Sequence, residues 1–376
     1  MTPLAAATLF TGRAAADEEP VPASAPFPGM IVRMEQPRNL ETPASALNET
    51  LSTEHFFIRS HFAVPTVEVS TFKLVVEGHV ANRLELTLDD LKKMPAVARS
   101  IALECAGNGR VFLTPQARGL QWGNGAVGAA KWSGVPLGAV LERAGVKPGA
   151  VDVVLVGADS GAITSDPPSP GVIHFDRGIP LAKAKKDETL LAWEMNGAPL
   201  TVSHGAPLRA VVGGWYGMAS VKWLSRIVVL DRPHAGFWQT MDYSIWERPA
   251  GRPPQLTPVT AMQPKAIITS PTLDDLVKAG RESIATGMAW AGEQAVDKVE
   301  FSADGGKTWA IATLGDKAPF TWTSWRIAWT APRTPGPVKL VARCTDARGA
   351  TQPESRDPDR RSYMINHLTP VEVLVR

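Results

Sequence analysis

The chain has 376 residues and, with 39 Lys+Arg against 37 Asp+Glu, a formal net charge of +2. Its 44% hydrophobic and 20% charged residues are the proportions of a globular protein of two or three domains, and the balanced charge speaks against a nucleic-acid binder. No apolar run is long enough for a membrane span, and two cysteines, Cys105 and Cys344, exclude a disulfide scaffold, a Cys₄ metal centre and a C-x-x-C-H haem attachment.

At the N-terminus, Ala14-Ala15-Ala16-Asp17 has the small-residue pattern of a signal-peptidase site, but no basic segment precedes it. It reads as the remnant of an export signal, and residues 1–50 as a flexible Pro/Ala-rich segment extended over the surface. Val67–Val69 and then Phe72–Gly78 alternate as a strand closing on a turn. Thr87 is an N-cap for a short helix with Asp89 and Asp90 in its first turn and Pro95 beyond its end. Ser100–Cys105 is a strand that runs into the glycine turn Ala106-Gly107-Asn108-Gly109. Val135–Ala144 reads as a second short helix and Val151–Val156 as a buried strand.

Residues 51–250 therefore form an α+β unit, and the proline-rich stretch 251–264 a linker. Beyond it the texture changes. Strands are expected at Lys265–Ser270, Glu282–Gly287, Val296–Ser302, Thr308–Ala312 and Val338–Cys344, with a hairpin-type turn at Asp304-Gly305-Gly306. That spacing predicts a β-sandwich over 265–376. Its tryptophans (Trp290, Trp309, Trp322, Trp325, Trp329) are expected in a core or a dimer interface, Cys344 as an inert core thiol, and Lys183-Ala184-Lys185-Lys186 as a solvated loop.

Three segments carry candidate chemistry. In the first, Cys105 ends a strand before a glycine turn, and Arg110 lies five residues on. This fits a buried inert thiol, or a thiolate at a pocket lip that Arg110 favours. In the second, Phe57–His61, Arg59 and His61 would share a face if the segment is a strand. The third, His204 to Leu224, packs His204, Arg209, Ser220 and Lys222 among glycines, as an anionic phosphate-bearing cofactor requires. It has neither the order of a P-loop nor a dinucleotide fingerprint.

Together these segments resemble the sulfite oxidase family of molybdenum enzymes. The resemblance rests on Arg59-x-His61-x-x-x-Pro65, Cys105-Ala-Gly-Asn-Gly-Arg110, Gly119-Leu-Gln-Trp122-Gly-Asn-Gly and Trp132-Ser-Gly-Val. Further support comes from Leu191-Ala-Trp-Glu-Met-Asn-Gly-Ala-Pro-Leu, the His204–Leu224 block, Gly236-Phe-Trp-Gln-Thr-Met-Asp-Tyr243 and Ser302-Ala-Asp-Gly-Gly-Lys-Thr-Trp309. It extends over residues 50–376.

It implies a sulfite oxidase-type mixed α/β molybdopterin domain followed by an immunoglobulin-like β-sandwich that pairs two subunits as a homodimer. It makes Cys105 the thiolate ligand of molybdenum, the other sulfurs coming from the molybdopterin dithiolene. Tyr243 would sit over the active oxo group. Arg59, Arg110 and, at the C-terminal end, Arg361 (with Arg360 as the neighbouring alternative) would form an oxyanion pocket walled by Trp122. His61, Asp159, His204, Arg209, Ser220 and Lys222 would hold the pterin and its phosphate.

The implied reaction is oxidation of sulfite to sulfate by oxo transfer at Mo(VI), with electrons leaving singly to an external acceptor such as a c-type cytochrome. The expected compartment is the periplasm, and no haem is expected on this chain. Gly109 stands where some members have arginine, and Gly213 where many have proline. The Gly214–Leu224 block also resembles the molybdenum subunit of a sulfane dehydrogenase, which is the alternative reading. A non-catalytic binding protein of the same fold is a third, against which the presence of both Cys105 and Tyr243 weighs.

Overall fold

A computed structural model of the protein describes residues 29–273 and 275–376. The cleavage-site pattern at Ala14–Asp17 lies outside them. Two five-stranded sheets build the first unit. In one, Val97–Glu104 pairs antiparallel with Val127–Pro136, which pairs with Thr189–Met195; Ala198–Pro199 and Arg209–Val212 both pair with that last strand. The other runs in the order Leu84–Leu86, Leu74–Gly78, Leu224–Leu230, Asp152–Gly161, Ile173–Pro180, with Leu74–Gly78 and Leu224–Leu230 parallel.

The short helices follow from local chemistry. Leu88–Lys92 opens on a capping box: the Asp90 N–H donates to Thr87 Oγ1 at 3.1 Å, and the Thr87 N–H donates to Asp90 Oδ2 at 3.0 Å. Leu137–Ala144 buries Leu137, Val140, Leu141 and Ala144, the spacing of one helical face, and stops at Gly145 with φ +68°. Each of its large buried side chains contributes about 1.5–3 kcal/mol. The helix starts two residues later than the sequence suggests, because Val135 and Pro136 complete the preceding strand.

The C-terminal unit packs a four-stranded sheet (Lys265–Ser270, Glu282–Trp290, Trp322–Thr330, Thr313–Leu314) against a five-stranded one (Leu276–Val277, Val371–Val375, Gly336–Asp346, Val296–Ser302, Ala310–Ile311). Ala285, Val299, Leu340, Cys344 and Trp325 fill the space between them. Trp290, Trp322, Trp325 and Trp329 are buried, as expected of core residues, and burial pushes the Cys344 thiol well up. In the hairpin turn, Asp304 Oδ1 accepts from the Lys307 and Thr308 N–H groups at 2.9 and 3.0 Å. The strand expected over Thr308–Ala312 is reduced to Ala310–Ile311, because this turn consumes Thr308. No helix among the described residues is long and apolar enough to cross a membrane.

Several sequence expectations are corrected. Residues 29–50 are not merely draped over the surface. Ile31–Met34 pairs with Asn39–Glu41, and Asn39 to Thr42 are buried. The stretch 251–264 is no free linker: Gln255–Pro258 pairs with Ser244–Glu247, and Val259 is fully buried. Val67–Val69 is not in a strand, which begins at Leu74. Phe57–His61 is not a strand either; it makes one bridge, Ile58 to Leu40. Lys183 is buried in the short helix Leu181–Ala184, paired with Glu188 and Glu293 at 2.9 and 2.7 Å, while Lys185 and Lys186 are exposed.

Candidate active site

The strand Val97–Glu104 delivers Cys105 to the wall of a cavity of about 690 Å³, measured with its open mouth. The turn beyond it is tightly specified. The Cys105 N–H donates to Ala126 O at 2.8 Å, and the Asn108 N–H donates to Cys105 O at 2.8 Å. A side chain on Gly107 would begin 2.3 Å from Arg110 Nη2, so only glycine leaves room for that guanidinium. Gly109 has φ +94°.

Arg59, His61 and Tyr243 line the cavity. Tyr243 follows a π-helical turn, Trp238–Asp242, and its hydroxyl lies 2.7 Å from His61 Nε2. Burial, reinforced by Arg59, Lys222 and Arg110, holds His61 well below the ordinary histidine range, so it is neutral. Burial pushes Tyr243 well up, so it keeps its proton. A protonated phenol donating to the lone pair of Nε2 satisfies both groups. His61 also stacks on Phe175, with ring centroids 4.8 Å apart. Arg59 is held by Asn39 Oδ1 at 3.3 Å and by the Ser60 carbonyl.

His204, Arg209, Ser220, Lys222 and Asp159 line it as well. Lys222 Nζ donates to Ser60 Oγ and to Ser203 O, each at 2.9 Å, and so ties the Arg59–His61 segment to the His204 segment. Arg209 donates to His204 O and Ser220 O, each at 3.0 Å, with its guanidinium over the Trp132 ring. Burial, with Arg209 and Lys222 beside it, lowers His204 to about 3, and its Nε2 meets Thr53 O at 3.0 Å. Burial lowers Arg209 to about 9 and, together with Arg209, pulls Lys222 well down. Asp159 is pushed up to about 6 by burial, against the pull of Lys222. Arg59, Arg209 and Lys222 crowded into one cavity against the single carboxylate of Asp159 form a site complementary to an anion.

Among the described residues no group of three or more His, Cys, Asp or Glu side chains could hold a metal by itself. A single thiol beside buried cations suits instead a metal carried by an anionic organic cofactor that supplies the remaining ligands. The residues present fit molybdopterin: Cys105 could meet the metal, and Arg209, Lys222 and Ser220 line the same cavity as candidates for the phosphate.

The sequence comparisons agree. A model of the oxidoreductase molybdopterin-binding domain matches residues 61–238, and one of the Mo-co oxidoreductase dimerisation domain matches 257–374. Sulfite oxidase of Gallus gallus is 34% identical over 354 residues, which cover 88% of this chain and 74% of that protein. The chain belongs to the sulfite oxidase family of molybdopterin oxidoreductases. Mitochondrial sulfite oxidase of Homo sapiens is 34% identical over 374 residues, 93% of this chain and 66% of that protein. The chain thus spans about two thirds of the length of its mammalian relatives. Among solved structures, the sulfane dehydrogenase SoxCD from Paracoccus pantotrophus is similar with a TM-score of 0.77 at 28% identity, covering 89% of this chain and 84% of that one.

In this sulfite oxidase-family chain the remaining three candidates lie away from the cavity lining. Arg110 turns its guanidinium to the Ser362 carbonyl (Nε at 3.2 Å, Nη2 at 3.1 Å) and the Leu120 carbonyl (Nη1 at 3.0 Å). Arg361 Nη1 donates to Met241 O, Ser244 O and Ser244 Oγ at 3.0, 3.0 and 2.8 Å, clamping the segment that carries Tyr243. Arg360 is occupied by Asn366 Oδ1 at 2.6 Å and Met364 O at 3.2 Å. Trp122 is fully buried behind the cysteine turn, its indole N–H without a partner. The expectation that Arg110, Arg361 and Trp122 line the pocket is therefore not met: the two arginines turn to carbonyls outside the lining, and the Trp122 ring is buried.

Sequence reasoning also missed contributors. Phe175, which no motif marks, forms part of the wall. Trp223, next to Lys222, has φ +47° and lays its ring 4.1 Å from Lys222 Nζ, a strained backbone at the site.

Proposed function

We propose that the protein is a molybdenum-dependent sulfite dehydrogenase. The observation that carries this reading is the joint placement of Cys105, Arg59, His61 and Tyr243 at one cavity that Arg209 and Lys222 also line. Molybdenum in its pterin would supply oxygen-atom transfer and a two-electron sink. The chain's own residues do the rest. Cys105 is read as the thiolate that anchors the metal. Arg209, Lys222 and Ser220 bind the phosphate, and Asp159 faces the pterin. Arg59 attracts a sulfur oxyanion with a planar, permanently charged group. Tyr243, held 2.7 Å from neutral His61, would stabilise the reacting oxygens by turning its one proton from that nitrogen to them, without adding charge.

Electrons would pass singly to a separate acceptor, which we read as a c-type cytochrome, in the periplasm and from a homodimer joined through the C-terminal sandwich. The same reading divides the chain into a catalytic unit over 51–250, a connection over 251–264 and a pairing unit over 265–376. The second reading, a molybdenum subunit acting on sulfane sulfur, is favoured by the similarity to the sulfane dehydrogenase structure.

Sulfite-dependent ferricyanide reduction by protein of verified molybdenum content separates them, with Cys105→Ser as control. Turnover that the control loses supports sulfite oxidation. Loaded protein that ignores sulfite overturns it in favour of the second reading.

A further inference from the structure

Glu104, the last residue of the cysteine strand, is 1% exposed, yet it carries a carboxylate. Three donors converge on it: Lys265 Nζ at 3.3 Å and Asn108 Nδ2 at 3.1 Å on Oε1, and Trp290 Nε1 at 2.8 Å on Oε2. Lys265, 3% exposed, also donates to Asn108 O at 3.1 Å. Lys265 and Trp290 belong to the C-terminal sheet strands Lys265–Ser270 and Glu282–Trp290, whereas Glu104 and Asn108 bracket Cys105.

The ties continue inward. Asn108 Oδ1 accepts from the Ala126 N–H at 3.0 Å, and Ala126 O accepts from the Cys105 N–H at 2.8 Å. A side chain at Gly109 would begin 3.3 Å from Lys265 Nζ, so the lysine lies directly against the turn. The Met364 N–H closes the far edge by donating to Ala106 O at 2.8 Å. Each end of the turn that presents the thiol is thus fastened to one ion pair, and half of that pair comes from the other unit.

A buried ion pair is a poor way to gain stability, since apolar residues of similar volume commonly do as well. What it provides is direction: a fully satisfied polar cluster admits one arrangement, whereas an apolar contact can slide. It also fixes charge. With both partners present the pair is neutral, one peptide unit from the thiol; with one removed, an uncompensated charge remains in a low dielectric.

We propose that Glu104 and Lys265 are a positioning pair through which the C-terminal sheets set the placement and electrostatic surroundings of the Cys105 thiolate at the metal. This rests on the reading of Cys105 as the metal's ligand.

The test uses the molybdenum-loaded protein, with Mo(V) electron paramagnetic resonance and redox titration as readouts beside turnover. Glu104→Gln leaves the lysine charge unbalanced and favours the reduced metal. Lys265→Met leaves the carboxylate and favours the oxidised metal. The expected result is a shift of the Mo(VI)/Mo(V) equilibrium on the order of tenfold in opposite directions.

The double variant Glu104→Gln/Lys265→Met removes both charges and covers the case in which a single variant does not fold. It should recover the thermal midpoint, keep its metal, and show altered Mo(V) g values with roughly tenfold lower kcat, because the turn has lost its fixed partner. Single variants with unshifted, like-signed potentials, or a double variant with wild-type g values and kcat, would overturn the proposal. A Cys105→Ser protein that keeps the wild-type Mo(V) spectrum would instead overturn the ligand reading beneath it.

Discussion

Glu41→Ala should destabilise the protein substantially, although residue 41 lies far from every catalytic motif in the sequence. Its carboxylate is 2% exposed. Oε1 accepts from the Gly125 N–H at 2.9 Å and Oε2 from the Gly123 N–H at 2.9 Å, while Arg33 Nε donates at 2.6 Å. Alanine orphans both glycine donors. A buried, unsatisfied backbone donor costs about 1–3 kcal/mol. Gly125 N is enclosed and carries the full penalty, whereas Gly123 N is only partly buried and water can reach it. The side chain of Arg33 is 27% exposed and returns to solvent at little cost. The sum is about 3 kcal/mol. Glu41→Gln keeps one acceptor but points an amide N–H at the other donor, so roughly half that loss is expected. Urea unfolding followed by tryptophan fluorescence reads both. The chain beyond Gly123 is tied to the cysteine turn through the Gly109 N–H, which donates to Gly123 O at 2.7 Å. Molybdenum content should therefore fall together with stability in Glu41→Ala. A loss below about 1 kcal/mol, with full metal content, would refute the view that the N-terminal hairpin belongs to the catalytic fold.

Two further outcomes follow from the site. Arg110→Lys cannot reproduce the fork that Arg110 makes on the Ser362 and Leu120 carbonyls, so it should cost about 1–2 kcal/mol of stability; if the guanidinium stays there during turnover, KM for sulfite should change less than about threefold, and a rise beyond about tenfold would mean that it swings into the cavity when an oxyanion binds. Acid should destabilise the fold through His204: its folded-state value is lowered from 6.5 to about 3, so the stability it contributes is complete above pH 6.5 and is lost as pH falls toward 3. About 2 kcal/mol should be gone by pH 5. Asp159 works in the opposite sense, because its raised value of about 6 makes the folded state bind a proton more readily than the unfolded state as pH falls. Urea midpoints for wild type and His204→Gln between pH 7 and 5 check this, and parallel curves would remove His204 as the cause.

What could be read from the sequence was decided by range. Cys105 was legible because a strand and a glycine turn are local patterns, and the Thr87 cap and the Asp304 turn were legible for the same reason. The resemblance singled out Arg59, His61, His204, Arg209, Lys222 and Tyr243, and all six line one cavity. The alternation argument for Arg59 and His61 fails in its premise, since their segment is not a strand; both reach the cavity because the chain is pinned on either side, by the Ile58 bridge to Leu40 and by Asn39 on Ser60. Side-chain direction was out of reach. Nothing local distinguishes an arginine aimed at a substrate from one aimed at carbonyls, and Arg110 and Arg361 fall on the second side.

The least legible contacts are those that span the chain, and they explain why two units are needed for one site. Glu104 and Lys265 are 161 residues apart in sequence. Read alone, Glu104 is a charge at the end of an apolar strand, where burial pushes its carboxyl up, and Lys265 is a cation opening another, where burial pulls it down. Each would be a local error in its own unit, and each finds its opposite charge in the other. Trp290 behaves likewise: it sits at the end of a C-terminal strand and spends its indole N–H on Glu104 rather than inside its own sandwich. The first hydrophobic core accordingly includes Ile267, Met288, Trp290 and Trp322 from C-terminal strands. A catalytic unit cut at residue 250 would strip Glu104 of Lys265 and Trp290, two of its three side-chain donors, right beside the turn that carries the thiol. On that argument the C-terminal sheets support the cysteine turn directly.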